Sequence, residues 1–246
     1  RACAEAQRVP SRGGAVAIDC RTSQPSLGVW LDDNLFAGNT AGTHGGGVYA
    51  KSPFGTANVR ISGSTFADNT AIGGFGGGLA VYNSDGFGAV SVTLDNSVLW
   101  NNAATAGGQI ALFRLNASSS MPSLALRYTD AQGGQGAVHV GGGLLTWGAG
   151  NLATDPLFAD PDGPDNDPLT LADNDYRLGA LSPCADAGDV GAIPPDVTDV
   201  DSDGDTTEPV PLDLDLLGRR ADDPAVPDTG AGPAPVVDMG AYERRP

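Results

Sequence analysis

The hexapeptide Gly45-Gly46-Gly47-Val48-Tyr49-Ala50 recurs along the chain with small variations. Similar Gly-rich turns lead into three other short apolar runs, and the four runs begin at Ala15, Val48, Leu79 and Ile110. Successive runs are 33, 31 and 31 residues apart. A fixed period of this length indicates a solenoid, in which each repeat unit stacks on its neighbours.

Each repeat also contains a segment in which apolar and polar residues alternate, as is typical of a β-strand with one buried face. The apolar pairs in four successive units are Val29/Leu31, Val59/Ile61, Val92/Leu94 and Leu124/Leu126. These pairs are separated by 30, 33 and 32 residues. The pattern predicts an all-β fold, namely a right-handed parallel β-helix with three strands per coil and about 30–33 residues per coil.

A third recurring segment carries an apolar residue that is followed three positions later by an asparagine. The apolar residues are Phe36, Phe66 and Leu99, and the asparagines are Asn39, Asn69 and Asn102. Because the coils of a parallel β-helix stack about 4.8 Å apart, equivalent side chains form columns. We expect the asparagine amides to hydrogen-bond along their column. The corner glycines would allow positive φ angles and a close approach of successive coils.

Charge and proline divide the chain into two parts. Residues 1–152 hold 8 acidic and 8 basic residues, whereas residues 153–246 hold 22 acidic and 5 basic residues and carry the whole net charge of −17. Of the 18 prolines, 14 also lie after residue 152. This shift predicts parallel β-helix repeats in residues 1–152 and a Pro/Asp-rich C-terminal cap in residues 153–246, packed on the last coil.

The same composition excludes two classes of partner. A strongly acidic surface repels phosphates, so we expect no nucleic-acid partner. No apolar run approaches the roughly 18 residues that a membrane-spanning helix needs, so we expect no membrane span. Among the three cysteines, Cys3 and Cys20 lie close in sequence and could pair in an oxidising compartment, which the sequence leaves open. For Cys184 a small buried apolar residue is favoured over a reactive thiol.

A specific order of motifs follows the repeats. The motifs are Asn151-Leu152-Ala153-Thr154-Asp155-Pro156-Leu157-Phe158, Asp175-Tyr176-Arg177-Leu178, Ser182-Pro183-Cys184-Ala185-Asp186-Ala187-Gly188-Asp189 and Val237-Asp238-Met239-Gly240-Ala241-Tyr242-Glu243. Together with the repeats, this order resembles the bacterial right-handed β-helix surface proteins with a choice-of-anchor Q type C-terminal region. Their repeats are similar to those of polymorphic outer-membrane proteins. The resemblance implies a secreted or surface-displayed chain with a role in adhesion, matrix association or polysaccharide contact.

The acidic C-terminal part needs apolar anchors if it is to pack on the open end of a solenoid. The candidate anchors are Leu157, Phe158, Tyr176, Leu178, Leu181, Cys184 and Met239. Within the same part, Asp199-Val200-Asp201-Ser202-Asp203-Gly204-Asp205 matches the beginning of a calcium loop of the Asp-x-Asp-x-Asp-Gly type. The twelfth position is Val210 rather than glutamate, although Glu208 lies close by.

This motif predicts a Ca²⁺ site whose candidate ligands are Asp199, Asp201, Asp203, Asp205 and Glu208. Carboxylates are the ligands that a hard cation such as calcium prefers. The alternative interpretation is a solvated acidic turn without a bound ion.

The repeats offer little catalytic chemistry. Parallel β-helices include polysaccharide lyases and hydrolases, but a fold does not by itself establish an activity. Hydrolysis of a glycosidic bond needs two carboxylates on one face, and strand alternation places the adjacent Asp32 and Asp33 on opposite faces. We therefore identify no catalytic residue and favour a non-enzymatic protein. The alternative is a polysaccharide lyase or a glycoside hydrolase of the pectate-lyase-like fold.

We expect a structural, adhesive or assembly role outside the cell or at its surface. The partner would be a surface glycan or a protein, and the chain could be one subunit of a larger extracellular complex. Phe54 and Phe87 lie on adjacent loop tips, where they would either stack on a sugar or cover the wall of the β-helix. Covering the wall is the favoured role for these two rings.

Overall fold

The computed structural model describes residues 14–21, 26–84, 87–168 and 170–246, together with the backbone of residues 3–5 and 8–9. In chain order the strands are β1 (Cys3–Glu5), β2 (Arg8–Val9), β3 (Val16–Asp19), β4 (Leu27–Asp32), β5 (Leu35–Ala37), β6 (Thr40–Ala41), β7 (Val48–Lys51), β8 (Thr56–Ser62), β9 (Thr65–Ala67), β10 (Thr70–Phe75), β11 (Leu79–Asn83), β12 (Ala89–Asp95), β13 (Val98–Trp100), β14 (Ala103–Ala106), β15 (Ile110–Arg114), β16 (Ser123–Arg127), β17 (Asp130–Ala131), β18 (His139–Gly141), β19 (Leu144–Trp147), β20 (Phe158–Asp160) and β21 (Asp175–Leu178). Two single-turn 3₁₀ helices span Gln135–Ala137 and Val190–Ala192.

The first nineteen strands form four parallel sheets, each running along the axis of a β-solenoid. Sheet I contains β1, β5, β9, β13 and β17, and sheet II contains β2, β6, β10 and β14. Sheet III contains β3, β7, β11, β15 and β18, and sheet IV contains β4, β8, β12, β16 and β19. The predicted parallel β-helix is confirmed, but four of its five coils have four strands rather than three, and only the last coil, with β17, β18 and β19, has three.

The strand missed by the sequence pattern belongs to sheet II. Three of its four members directly follow the asparagine of their coil. They have little apolar alternation, as in β14, where all four residues are alanine or threonine and none is fully buried. Hydrophobic periodicity therefore could not identify this segment, because a strand without a buried apolar face leaves no such signal. The backbone register nevertheless continues through it, since Thr70 pairs with Thr40 and with Ala103.

The register of sheet IV is the one that the alternating pairs predict. Val59 pairs with Val29 and Val92, and Val92 pairs with Leu124. The neighbouring column aligns Leu31, Ile61, Leu94 and Leu126 in the same order. Val59, Val92 and Leu124 are at most 2% exposed, so these columns form the dry interior of the solenoid.

The predicted asparagine column is confirmed as a continuous hydrogen-bonded ladder, here called the Asn ladder (Asn39, Asn69 and Asn102). The Nδ2 atom of Asn39 donates to Oδ1 of Asn69 over 2.9 Å, and Nδ2 of Asn69 donates to Oδ1 of Asn102 over 2.8 Å. The Asn69 side chain also donates to the Phe36 carbonyl and accepts from the Asn39 backbone N–H. Beside the ladder, the Phe36 and Phe66 rings stack with centroids 4.7 Å apart.

The ladder ends at a glutamine that replaces a glycine. Gln109 occupies the position that Gly47 and Gly78 hold in earlier coils, and its Oε1 atom accepts a hydrogen bond of 2.6 Å from the Asn102 side chain. Its Nε2 atom then donates to Gln132 over 2.8 Å. Earlier corners need glycine because the next coil approaches closely, and a Cβ atom on Gly46 would lie 2.6 Å from the Thr70 nitrogen.

Residues 153–246, here called the tail, pack along the side of the solenoid. The Asn96 side chain exchanges two hydrogen bonds with the backbone of Asp189. The Arg60 side chain donates to the Ala192 carbonyl over 2.7 Å, and Thr65 Oγ1 accepts from the Ala241 backbone. The predicted contact with the last coil is thus one part of an interface that extends from Asp33 to Asp130. A parallel bridge between Asp130 and Leu152 lies where the composition changes.

The apolar anchors of the tail are partly the predicted ones. Tyr176, Leu178, Cys184 and Met239 are all buried, and Phe158 packs beside them. Leu181 is 85% exposed and Leu157 is 43% exposed, so the prediction is wrong for these two. Leu157 has a positive φ of 50° in the irregular segment before β20, and Leu181 lies in the turn that follows β21. Apolar character alone did not reveal which residues lie in turns that face solvent.

A buried arginine joins the tail to the solenoid. The Arg219 guanidinium contacts the Asp33 carboxylate at 2.5 Å and the Glu243 carboxylate at 3.6 Å, and it also donates to the Gly240 carbonyl. Only 3% of the Arg219 side chain and 5% of the Asp33 side chain are exposed. A buried charge of this kind is tolerable because it is both paired and hydrogen-bonded.

Cys184 lies at the contact between the tail and β17. It is fully buried, as predicted, and its Sγ atom donates to Asp130 Oδ2 over 3.3 Å. Burial raises the pKa of Asp130 to about 6 and raises the pKa of the Cys184 thiol well above its ordinary value. A neutral thiol suits a packing role rather than a reactive one. The pairing of Cys3 with Cys20, which the sequence leaves open, involves a side chain outside the described residues. Across the described ranges, no helix is both long and apolar enough to span a bilayer.

Candidate functional site

The predicted calcium motif lies in an acidic loop of residues 196–208. The two ends of this acidic loop are held together, because the Asp196 backbone N–H donates to the Glu208 carbonyl over 2.7 Å and Pro195 pairs with Pro209 in an antiparallel bridge. Within the loop, Asp199 and Gly204 adopt positive φ angles, and the Gly204 N–H donates to the Asp199 carboxylate. These turns direct several carboxylates towards one another.

Two overlapping groups of carboxylates converge in the acidic loop. Asp199, Asp201 and Asp203 form one group, and Asp196, Asp201 and Glu208 form the other; within each group the oxygen atoms lie within 4.8 Å of one another. Asp201 belongs to both groups and therefore lies at the centre. Such spacing suits a cation that takes six to eight oxygen ligands. Four of the five predicted ligands are thus brought together.

Asp205 is the predicted ligand that the loop does not bring into either group. Its Oδ1 atom accepts hydrogen bonds from the Thr207 backbone at 2.8 Å and from the Thr207 hydroxyl at 2.7 Å, and these bonds lower the pKa of Asp205. Asp196 was missed, although it precedes the motif by only three residues. It is fully buried and supports the loop by accepting from the Val200 N–H over 2.7 Å.

Mutual repulsion marks the acidic loop as a place for positive charge. The pKa of Glu208 is raised, because desolvation disfavours its charge and the neighbouring carboxylates of Asp203 and Asp201 add repulsion. Its Oε1 atom is buried and has no hydrogen-bond partner among the described residues. A bound cation would neutralise this repulsion and supply the missing contact.

A second candidate site is a cleft between the tail and the sheet I side of the solenoid. The cleft has a volume of about 390 Å³. Its walls are formed by Ala67, Asp68, Trp100, Asn101, Asp155, Leu157, Phe158, Pro161, Asp162 and Pro168. Trp100 closes β13 and is half-buried, and Asp68 and Asn101 are the corner residues directly after β9 and β13. The cleft thus combines an aromatic surface with three carboxylates and an amide.

Asp68 is held firmly in this cleft. Its Oδ2 atom accepts a hydrogen bond of 2.8 Å from the Tyr176 hydroxyl, and its Oδ1 atom accepts one from the Asn101 side chain. Burial raises the pKa of Asp68, although these two hydrogen bonds act in the opposite direction. The Tyr176 ring is itself fixed by an edge contact with Phe158 at 5.5 Å. Both oxygens are therefore used in positioning, which suits binding better than proton transfer.

The remaining residues that the sequence singled out lie away from both sites. Phe87 is 99% exposed and Phe54 is 58% exposed, so the prediction that these rings cover the wall is wrong for Phe87. Arg127 forms an ion pair with Asp95 of the preceding coil, with a contact of 2.8 Å. The His139 ring stacks on Phe75 at 4.7 Å, and His44 Nδ1 accepts from the Phe75 N–H, so both histidines belong to an aromatic cluster.

Comparison of the chain with family models, with curated proteins and with solved structures found no match in any of the three. The resemblance to surface proteins with a choice-of-anchor Q type region therefore remains a prediction from the motifs alone.

Proposed function

We propose that this protein is a secreted or cell-surface β-helix protein with a structural and adhesive role, and that it contacts a glycan through the cleft beside Trp100. The observation that carries this proposal is the composition of that cleft, in which an indole lies beside the side chains of Asp68, Asn101, Asp155 and Asp162. We also propose that the protein is a member of the choice-of-anchor Q group and that it assembles with further subunits.

The chemistry of the cleft matches that of a sugar. One face of a pyranose ring is lined with C–H groups that pack on an indole, while its hydroxyls donate to carboxylates and amide oxygens. A rigid wall favours such binding because it loses little conformational entropy when the ligand is bound. The solenoid supplies that rigidity, since Trp100 is flanked by the hydrogen-bonded neighbours β9 and β17 of sheet I.

The glycan proposal is tested by measuring the binding of a panel of surface and matrix polysaccharides to the full chain and to the variant Trp100→Ala. We expect Trp100→Ala to weaken binding at least tenfold, which corresponds to about 1.4 kcal/mol. Trp30→Ala is the matched control, because Trp30 is a 47%-exposed tryptophan on sheet IV, outside the walls of the cleft. Equal binding by the Trp100→Ala variant, or no binding to any polysaccharide, would contradict the proposal.

The same panel separates adhesion from catalysis. One observation favours the alternative, a polysaccharide lyase or glycoside hydrolase: the cleft is lined by three carboxylates, those of Asp68, Asp155 and Asp162. Release of unsaturated or reducing ends that is lost in Asp155→Asn would support that alternative. Retention of the polysaccharide without such products supports the adhesive role.

We further propose that the acidic loop binds Ca²⁺. Because Asp199, Asp201 and Asp203 are partly or fully exposed, we expect the modest affinity of extracellular calcium modules, which matches a secreted protein. Calcium at about ten times Kd should raise the melting temperature of the chelator-treated protein by about 3–6 °C.

The substitutions Asp201→Ala with Asp203→Ala should remove the part of this rise that the acidic loop contributes. Asp205→Ala is the control, because that carboxylate is turned towards Thr207 and should leave the rise unchanged. A melting temperature that does not respond to calcium in the wild-type chain would rule out the site, and an equal response in the double variant would place it elsewhere.

A further inference from the structure

A second group of carboxylates, separate from the acidic loop and from the cleft, lies where two segments of the tail meet. It consists of Asp186, Asp222 and Asp228, whose oxygen atoms lie within 4.8 Å of one another. None of the three belongs to the calcium motif, and no sequence pattern had brought them together. Asp222 and Asp228 are exposed, whereas Asp186 is only 1% exposed.

The Asp186 side chain is buried without a partner. Neither of its carboxylate oxygens accepts a hydrogen bond from the part of the chain that the structure describes, and both are shielded from solvent. Buried polar groups are almost always hydrogen-bonded, and a buried carboxylate that is not costs more than a neutral group. A buried, unpartnered carboxylate that faces two others therefore favours a ligand of positive charge.

The main chain of Asp186, in contrast, is fully engaged. Its N–H donates to the Asp238 carboxylate over 2.7 Å, and its carbonyl accepts from the N–H groups of Thr229 and Gly230 at 2.8 and 3.0 Å. These bonds hold the Asp228 loop against Asp186 and fix the backbone from which its side chain projects. The backbone of Asp186 is thus fixed by hydrogen bonds, whereas its carboxylate has no hydrogen-bond partner among the described residues.

Among the described residues, no basic side chain forms an ion pair with Asp186, Asp222 or Asp228. The charge of Arg244 acts to lower the pKa of Asp186, but its guanidinium contacts the Asp223 carboxylate. Burial, with the charges of Asp228 and Asp222, raises the pKa of Asp186 to about 6. The three carboxylates therefore repel one another at neutral pH, and this repulsion would be relieved by a cation bound between them.

We propose that Asp186, Asp222 and Asp228 bind a divalent cation, with Ca²⁺ as the best match. The ligand set contains oxygen atoms alone, which suits a hard cation, and two of the three ligands are exposed, which leaves room for water to complete the coordination. The cation would tie the Asp222–Asp228 segment to residues 184–189, which contact the solenoid through Asp130 and Asn96. Calcium would thereby fasten the tail to the β-helix.

The test uses the full chain carrying Asp201→Ala and Asp203→Ala, so that the acidic loop contributes no binding. After treatment with a chelator, this background is titrated with calcium chloride by isothermal titration calorimetry. We expect this background to bind one Ca²⁺ per chain. Adding Asp186→Asn should abolish the binding, and adding Asp222→Asn together with Asp228→Asn should weaken the affinity at least tenfold. Asp165→Asn, which removes an exposed carboxylate outside every converging group, should leave the binding unchanged.

A second readout separates a cation site from a purely structural carboxylate. In chelator, Asp186→Asn should raise the melting temperature, because it removes a buried unpaired charge, and the variant should show no further rise with calcium. No calcium binding by the background at millimolar concentrations would overturn the proposal. Undiminished binding after Asp186→Asn would overturn it equally.

Discussion

Asn69→Ala is expected to lower the free energy of unfolding by about 3–5 kcal/mol. Asn69 lies in the middle of the Asn ladder and is 0% exposed. Its removal would take an acceptor from both the side chain and the backbone N–H of Asn39 and a donor from the Phe36 carbonyl, in the buried interior of the solenoid. Each buried group left without a partner costs about 1–3 kcal/mol, and several are lost together.

The Asn69 prediction is checked by urea or thermal unfolding of the purified variant. Asn58→Ala is the matched control, because Asn58 is an exposed asparagine of β8, and a surface change of this kind is expected within about 0.5 kcal/mol of the wild type. A loss of stability as small as that of the control would show that the Asn ladder contributes nothing beyond its backbone register.

Arg219→Met is the other substitution with a large expected effect, also about 3–5 kcal/mol. Methionine fills the same space but leaves the carboxylates of Asp33 and Glu243 buried without their cation. Burial raises the pKa of Glu243 well above its ordinary value even with Arg219 present. When the arginine is removed, Glu243 can therefore take up a proton and avoid the cost of a buried unpaired charge. The loss should therefore fall mainly on Asp33.

The Arg219 prediction is measured by chemical unfolding together with limited proteolysis of the tail. Arg220→Met is the matched control, because the adjacent Arg220 is exposed and, within the described part of the chain, donates only to the backbone carbonyls of Pro233 and Pro235. It should cost about 1 kcal/mol or less. Adding Asp33→Asn to Arg219→Met should restore part of the stability. If Arg219→Met and Arg220→Met behave alike, the buried pair does not hold the tail.

The repeat region could be predicted in detail because its information is periodic. Each coil buries the same positions against the same neighbours, so a spacing of 31 residues between Val48 and Leu79 is also a contact between them. The same regularity revealed the Asn ladder, since equivalent residues of successive coils must meet. It did not reveal sheet II, whose strands bury few apolar side chains and so leave no periodic trace.

The tail could be predicted only in outline. Its motif located the acidic loop, yet the motif included Asp205, which turns to Thr207, and omitted the buried Asp196. Local hydrogen bonds determine which of these two carboxylates faces the others, and the spacing of residues in a motif contains no information about such bonds. Likewise, nothing in the adjacent pair Arg219-Arg220 distinguishes the buried arginine from the exposed one.

The parallel β-helix, its register and its Asn ladder could be predicted from the sequence alone. The reason is that residues one repeat apart in the sequence are in contact when the coils stack. Folding in three dimensions decided the rest: the cleft beside Trp100, the Arg219 ion pair and the meeting of Asp186 with Asp222 and Asp228. These features join residues 36 to 186 positions apart that share no repeat. The path of the tail along the solenoid forms the cleft and the Arg219–Asp33 pair, whereas the folding of the tail on itself brings Asp186 to Asp222 and Asp228.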